Sequence, residues 1–401
     1  MKRFRKLIFW CHLSAGVIGG LVILNMSVTG ALLAFQPQIE RFADRDVRTV
    51  QPPEGEAARL NTQALFAKVR EARPDLKPTG LTLQSDPTAA ASFALGREGI
   101  LYVNPYTGDI TGESSKGVRS FFQTVTDWHR WLGTSGDSRA TGRAITGACN
   151  AAFLVLAISG LFLWWPKKWT RKSLSSVTVF QRGLRGRARD FNWHNVTGFW
   201  CALVLVMLTA TGMVMSYQWA NNLLYTVTGS PVPQAAQPQA PQAAGQSAST
   251  MEVPANLDQL LSRAEDQTPQ WESVNMRLPM RSDAPASFTF RGIGEWNPIA
   301  SSQVIVDPAT TEVVRSEPYA SLSLGRRLRT WARTTHTGEA GRLPGQIIAC
   351  VASLGGGLLV WTGLSLALRR FRAWRVRART GEAVYATSQL AEDGAQQTTY
   401  K

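Results

Sequence analysis

The sequence predicts an α-helical membrane protein, with four transmembrane helices in two repeats and two small α+β domains outside the bilayer. Three observations carry this. Four apolar runs of about twenty residues, with no charged side chain inside, match a hydrocarbon core of about 30 Å at about 1.5 Å per helical residue. The basic residues collect on alternate sides of successive runs. HLSAGVIGGLVILNMSVTG (12–30) aligns without gaps to HNVTGFWCALVLVMLTATG (194–212).

The first span is expected over 7–35. Its apolar part is longer than a signal-peptide core and no small-x-small site follows, so it reads as an uncleaved anchor. The first outer domain is expected over 36–117. NTQALFAKVREARPD (61–75) has the apolar spacing of a short amphipathic helix, and ILYVNPYTGDITGES (100–114) reads as strand, turn and strand. An interfacial helix follows over 118–142, with Phe122, Val125, His129 and Leu132 on one face. The second span covers 143–165, a basic loop 166–193, and the third span 194–219. A Pro/Ala/Gln-rich linker occupies 230–255. The second outer domain, 256–319, repeats the first, with NLDQLLSRAEDQTPQ (256–270) as its helix and SQVIVDPATTEVVRSEP (302–318) as its strand, turn and strand. Each domain reads as a helix on a small antiparallel sheet, marginal alone at this size. A second interfacial helix is expected over 320–341, with Leu324, Leu328, Trp331 and Thr335 on one face. The fourth span covers 342–368, and a polar tail runs over 369–401.

The net charge is +15, but its placement argues against nucleic acid. Of 43 basic residues, 18 lie in MKRFRK, the 166–190 segment and RRFRAWRVRAR (369–379). That pattern puts both termini and the 166–193 loop in the cytoplasm and the outer domains in the periplasm of a bacterial inner membrane. Arg326, Arg327, Arg329 and Arg333 run against this trend. The four cysteines all lie in or beside spans, so no disulfide framework is indicated.

The four histidines fall into the duplicated plan. His12 and His194 open the first and third spans, and His129 and His336 precede the second and fourth. Any one of them alone is accounted for by interfacial solvation. Together they form an inner and an outer pair, and ionisable groups within membranes are rare and functional. Paired neutral imidazoles are what the iron of a b-type haem needs on its two faces, and two pairs give two haems. No C-x-x-C-H is present for covalent attachment. Gly16, Gly19, Gly20, Gly147, Gly160, Gly198 and Gly355–Gly357 leave room for a macrocycle, although small residues equally serve helix packing. Arg130, Arg143, Arg333 and Arg342 are candidate partners for haem propionates. Zinc or copper is a poorer fit, since two histidines per level with no nearby Asp, Glu or Cys ligand set make a poor site for either.

These stretches resemble the PepSY-associated transmembrane proteins. HLSAGVIGGLVILNMSVTG, DWHRWLG, GLFLWWPKK and HNVTGFW resemble that family's spans, and YVNPYTGDITGE and VIVDPATTEV resemble the endings of PepSY domains. The resemblance covers roughly 1–375, and its motifs are specific to the superfamily rather than to one member. Its members include FoxB- and PiuB-type inner-membrane proteins linked to iron–siderophore uptake. The FoxB type implies a haem-containing reductase that releases iron from ferric siderophores in the periplasm, with His12, His194, His129 and His336 as axial ligands. The partners so implied are the lipid bilayer, a ferric siderophore, and a cytoplasmic or quinol electron donor. The chain departs from the pattern at ATTE (309–312), which lacks the turn glycine of YTGD (106–109). Two other readings stand beside this one: a non-catalytic PepSY membrane protein with a peptidase-inhibitory or regulatory role, and a haem subunit feeding another periplasmic oxidoreductase.

Overall fold

A computed structural model describes residues 2–55, 58–96, 98–165, 170–233, 253–277, 285–292 and 300–398. Most of the expected 230–255 linker lies outside the described residues. In chain order the helices are α1 (Lys2–Leu33), α2 (Gln36–Ala43), α3 (Arg45–Arg48), α4 (Thr62–Ala72), α5 (Lys116–Trp131), α6 (Ser138–Trp164), α7 (Arg171–Thr178), α8 (Gly186–Ser216), α9 (Gln218–Val227), α10 (Leu257–Glu265), α11 (Leu324–Thr337) and α12 (Arg342–Thr398). The strands are β1 (Gly80–Gln84), β2 (Ala91–Ala94), β3 (Ile100–Val103) and β4 (Ile110–Glu113), then β5 (Trp271–Arg277), β6 (Ala286–Gly292), β7 (Ser302–Val306) and β8 (Val313–Glu317). The chain divides into two compact units.

The first unit comprises 1–31, 129–210 and 350–401. Four helical stretches, Arg3–Leu33, Ser138–Trp164, Gly186–Ser216 and Glu339–Ala378, are long and apolar enough to cross a membrane. Ile18, Leu21, Leu203 and Val351 are more than half exposed, as lipid-facing side chains are. The ends of the four helical stretches differ from those expected of the spans. The third stops at Ser216, because Tyr217 is extended and α9 begins a new direction. The last continues far past 368, into the segment read as a polar tail. Helices meet at small residues: a Cβ on Gly355 would lie 2.5 Å from Cys201 Sγ, and one on Gly356 2.8 Å from Ser27 Oγ. Those glycines, expected to give a macrocycle room, are filled by neighbouring side chains. Two of the most polar buried groups are paired, as the low dielectric favours, whereas the hydroxyls of Ser27 and Thr197 are buried without a hydrogen-bond partner among the described residues. Asn150 donates to the Thr209 carbonyl at 2.9 Å, and Asp190, 1% exposed, is held between Arg189 and Arg369.

The second unit comprises 32–128 and 211–349. Its strands form one antiparallel sheet in the order β4-β3-β2-β1-β5-β6-β7-β8. The small sheets expected in the two halves are thus joined edge to edge in one. β1 pairs with β5 from Gly80↔Arg277 to Gln84↔Ser273. Two open edges of unpaired backbone are thereby removed. The two cores also merge, since Leu65, Phe66, Leu81 and Phe93 of the first half pack in one cluster with Leu260, Met276, Phe288 and Val304 of the second. Each fully buried Phe or Leu contributes about 1.5–3 kcal/mol, so the merger gives each half more than it could bury alone. The two helix starts are also tied together: Asp258 of α10 accepts from the Thr62 backbone N–H of α4 at 2.7 Å, beside the Asn61 cap of the same helix.

On the other sheet face, Asp44 is 3% exposed. It accepts from the Ser115 backbone at 2.8 Å and from Tyr102 Oη at 3.1 Å, with Arg119 at 3.7 Å. Burial, with the Asp44 carboxylate second, pushes the Tyr102 phenol up to about 12.

Candidate functional site

The histidines are placed by helices whose positions follow from the apolar pattern, and each meets a hydroxyl on another helix. His12 Nδ1 lies 2.9 Å from Ser159 Oγ. His129 Nδ1 lies 2.9 Å from Thr29 Oγ1. His194 Nδ1 lies 2.9 Å from Thr362 Oγ1, and His336 Nδ1 lies 3.2 Å from Thr211 Oγ1. In every case the hydroxyl residue is followed by glycine: Ser159-Gly160, Thr29-Gly30, Thr362-Gly363, Thr211-Gly212. For three of them the glycine leaves space under the ring. A Cβ would lie 3.5 Å from His12 Cε1 at Gly160, 3.3 Å from His129 Cε1 at Gly30, and 3.4 Å from His194 Cε1 at Gly363.

This contact sets the protonation of the ring. A hydroxyl has one proton and two lone pairs. Thr362 donates its proton to the Leu358 carbonyl at 2.7 Å, Thr29 to the Asn25 carbonyl at 2.6 Å, and Ser159 to the Leu156 carbonyl at 3.3 Å. With its proton on the carbonyl, each hydroxyl can meet its imidazole only as an acceptor; in that arrangement Nδ1 carries the hydrogen and Nε2 a lone pair, while the other tautomer reverses the bond. Metal-bound histidines are held in the same way, through an N–H bond on the far side of the ring.

His12 and His194 come together. Their ring centroids are 6.4 Å apart with planes at 83°, so the rings do not stack. Two imidazoles on opposite faces of one metal, each with a bond of about 2 Å and about 1.1 Å from nitrogen to ring centre, sit about 6 Å apart. The separation of the two rings is compatible with both holding one metal ion. Among the described residues no group of three or more His, Cys, Asp or Glu forms a metal cage. A two-nitrogen set suits a macrocycle that supplies its own in-plane donors.

The outer histidines fall in different compact units, His129 with Thr29 in one and His336 with Thr211 in the other. Their helices differ from expectation in detail. Leu132, assigned to the same face as His129, lies beyond the end of α5 with φ 55°. Arg130, Arg143, Arg333 and Arg342 are all exposed. Arg130 lies over the Trp131 ring at 4.7 Å. The two Gly-Arg pairs are not equivalent. A Cβ on Gly142 would lie 2.2 Å from the Trp131 carbonyl oxygen, whereas one on Gly341 meets open space.

The hydroxyls were the part that the sequence reading missed. Thr29-Gly30 and Thr211-Gly212 stand at matched positions of the repeat, and that match was the available signal.

The family model described as "PepSY-associated TM region" matches residues 9–370. The chain belongs to the PepSY-associated transmembrane family. Family membership and the four apolar helices together make it a multi-pass membrane protein. No curated protein matches the chain. The family match takes in all four histidines and their hydroxyl partners.

Proposed function

We propose that this protein carries electrons across a bacterial inner membrane and reduces ferric siderophores in the periplasm, releasing Fe(II). The observation that carries the reading is the His12–His194 pair, 6.4 Å apart, with both Nδ1 atoms tied to hydroxyls. These two would hold the iron of an inner b-type haem. His129 and His336 are proposed as ligands of an outer haem, on the sequence repeat and on the same hydroxyl contact within each unit. A haem so held would supply reversible one-electron storage.

The chain's own residues do the rest. Ser159 and Thr362 keep the Nδ1 protons in place. The apolar helices exclude water around the inner pair. Arg130, Arg143, Arg333 and Arg342 are the guanidiniums proposed for the propionates. In the reaction a cytoplasmic or quinol donor loses one electron and the ferric chelate gains it. Fe(II) is held more weakly than Fe(III) by hard oxygen donors, so the chelate lets go. The basic ends of the spans support the reading in which the termini and the 166–193 loop are cytoplasmic and the outer segments periplasmic. The strand order, reading the same outward from β1 and β5, supports two PepSY-like halves.

The test is anaerobic. The protein is reduced in detergent, and a ferric siderophore is added with a ferrous-specific dye. The reading predicts reoxidation of the protein with stoichiometric Fe(II). A haem protein that stays reduced would instead favour a subunit feeding another oxidoreductase, and a haem-free protein a regulatory role.

A further inference from the structure

The sheet face opposite the main core carries a polar groove along β1, β5, β6 and β7. That face shows Thr82, Asn275, Ser287, Thr289 and Gln303, whereas Val274, Met276, Phe288 and Val304 point to the core. A solvated sheet face usually bears long charged side chains; here they are short and already oriented. Asn275 donates to Thr82 Oγ1 at 2.8 Å, and Gln303 donates to Ser287 Oγ at 2.9 Å. Above them lies a cavity of about 530 Å³. A second, of about 330 Å³, shares Thr289 and Gln303 with it and extends toward α11. Together they have the size of small-molecule sites.

The walls are cationic. Arg277 lines the first cavity, and Arg326 and Arg329 line the second. The carboxylate there, Glu317, is already taken: it pairs with Arg315 and accepts from Arg326 at 3.1 Å. Burial works against its charge, but those two hydrogen bonds outweigh it and hold the carboxyl below its usual range. Among the described residues, the two cavities thus have two guanidiniums without a carboxylate partner, Arg277 and Arg329, over a floor of hydroxyl and amide groups.

We infer that this groove binds an anionic, oxygen-rich metal chelate, of the polycarboxylate type, between Arg277 and Arg329. The choice of a chelate rests on the ferric-siderophore reading; the charge and polarity come from the groove. Guanidiniums bind carboxylates with paired, charge-assisted hydrogen bonds, and the short side chains leave a bulky ligand room.

The test is calorimetric binding of gallium(III) citrate, which is redox-inert, to the full-length protein in detergent. The expected result is saturable binding, weakened about tenfold by Arg277→Gln and about tenfold by Arg329→Gln. Arg263→Gln, on α10 against the opposite sheet face, should leave it unchanged. Unaltered binding in both groove variants overturns the inference. So does equal affinity for metal-free citrate, or for a cationic gallium hydroxamate. Because gallium takes no electron, the outcome is independent of haem. Groove binding by a haem-free protein would sink the reductase reading alone. A reductase that never binds the anionic chelate would sink the groove alone.

Discussion

His194 Nδ1 lies 2.9 Å from Thr362 Oγ1, and that hydroxyl donates to the Leu358 carbonyl at 2.7 Å. With the hydroxyl proton on a group that can only accept, Nδ1 is the donor toward Thr362 and Nε2 is left with a lone pair; this is the relay that the proposed haem site uses. His12 and Ser159 repeat the arrangement across the first two spans.

Removing the hydroxyl while keeping the shape should therefore loosen haem without unfolding the protein. Thr362→Val is expected to lower haem affinity by about 10- to 100-fold, the usual cost of losing a ligand's supporting hydrogen bond. Thr362→Ser should restore it. Haem per protein after dialysis against apomyoglobin measures the effect. A Val variant that keeps haem as tightly as the parent would remove the relay from the account.

Gly363 tests the ring's seat. A Cβ there would lie 3.4 Å from His194 Cε1, an ordinary contact. Gly363→Ala should keep near-normal haem content. Gly363→Val adds methyls that push the ring aside and should lose most of the haem bound by the inner pair, read from the Soret absorbance per protein.

The turn in the second half stores strain. Thr311 has φ 58° where its counterpart Gly108 has φ 80°, and both turns close the same backbone bonds. Thr311 N–H donates to the Asp307 carbonyl at 2.8 Å, and Gly108 N–H to the Asn104 carbonyl at 2.9 Å. The missing glycine thus left the turn intact at the cost of a β-branched residue in the left-handed region. Thr311→Gly should stabilise the sheet by about 1 kcal/mol, seen as a higher unfolding midpoint.

Tyr102 ties stability to alkaline pH. Folding raises its pKa from 10.0 to about 12 through burial and the Asp44 carboxylate. The folded state holds the proton more tightly, so this contribution is complete below pH 10. It is lost as pH rises from about 10 toward about 12, about 2–3 kcal/mol in all. The melting temperature of the parent should fall more steeply between pH 9 and 11.5 than that of Tyr102→Phe. Parallel slopes would contradict this. At neutral pH the Phe variant should itself be less stable by about 1–3 kcal/mol, because Asp44 loses a buried donor.

What could be read from the chain alone follows from what is local. Apolar runs without charges mark spans wherever they fall, and His12 and His194 were placed by the gap-free repeat. The small size of each half signals that it needs a neighbour, but the joining of β1 to β5 was hidden, because Leu81 and Met276 are far apart in sequence and nothing local marks those two strands as partners. Ser159 and Thr362 were hidden for another reason. Hydroxyls in membrane helices commonly bond their own helix carbonyls, as these do, and nothing local marks the ones that also face an imidazole. Arg277 and Arg329 share a groove only through the fold.

The most direct measurement is the absorption spectrum of the purified protein, oxidised and reduced, with haem quantified in the parent and in His12→Ala and His129→Ala. The account predicts a Soret band, close to two haems per chain in the parent, and the loss of about one from each variant. A protein without a Soret band, or variants that both keep the parent's haem content, would contradict it.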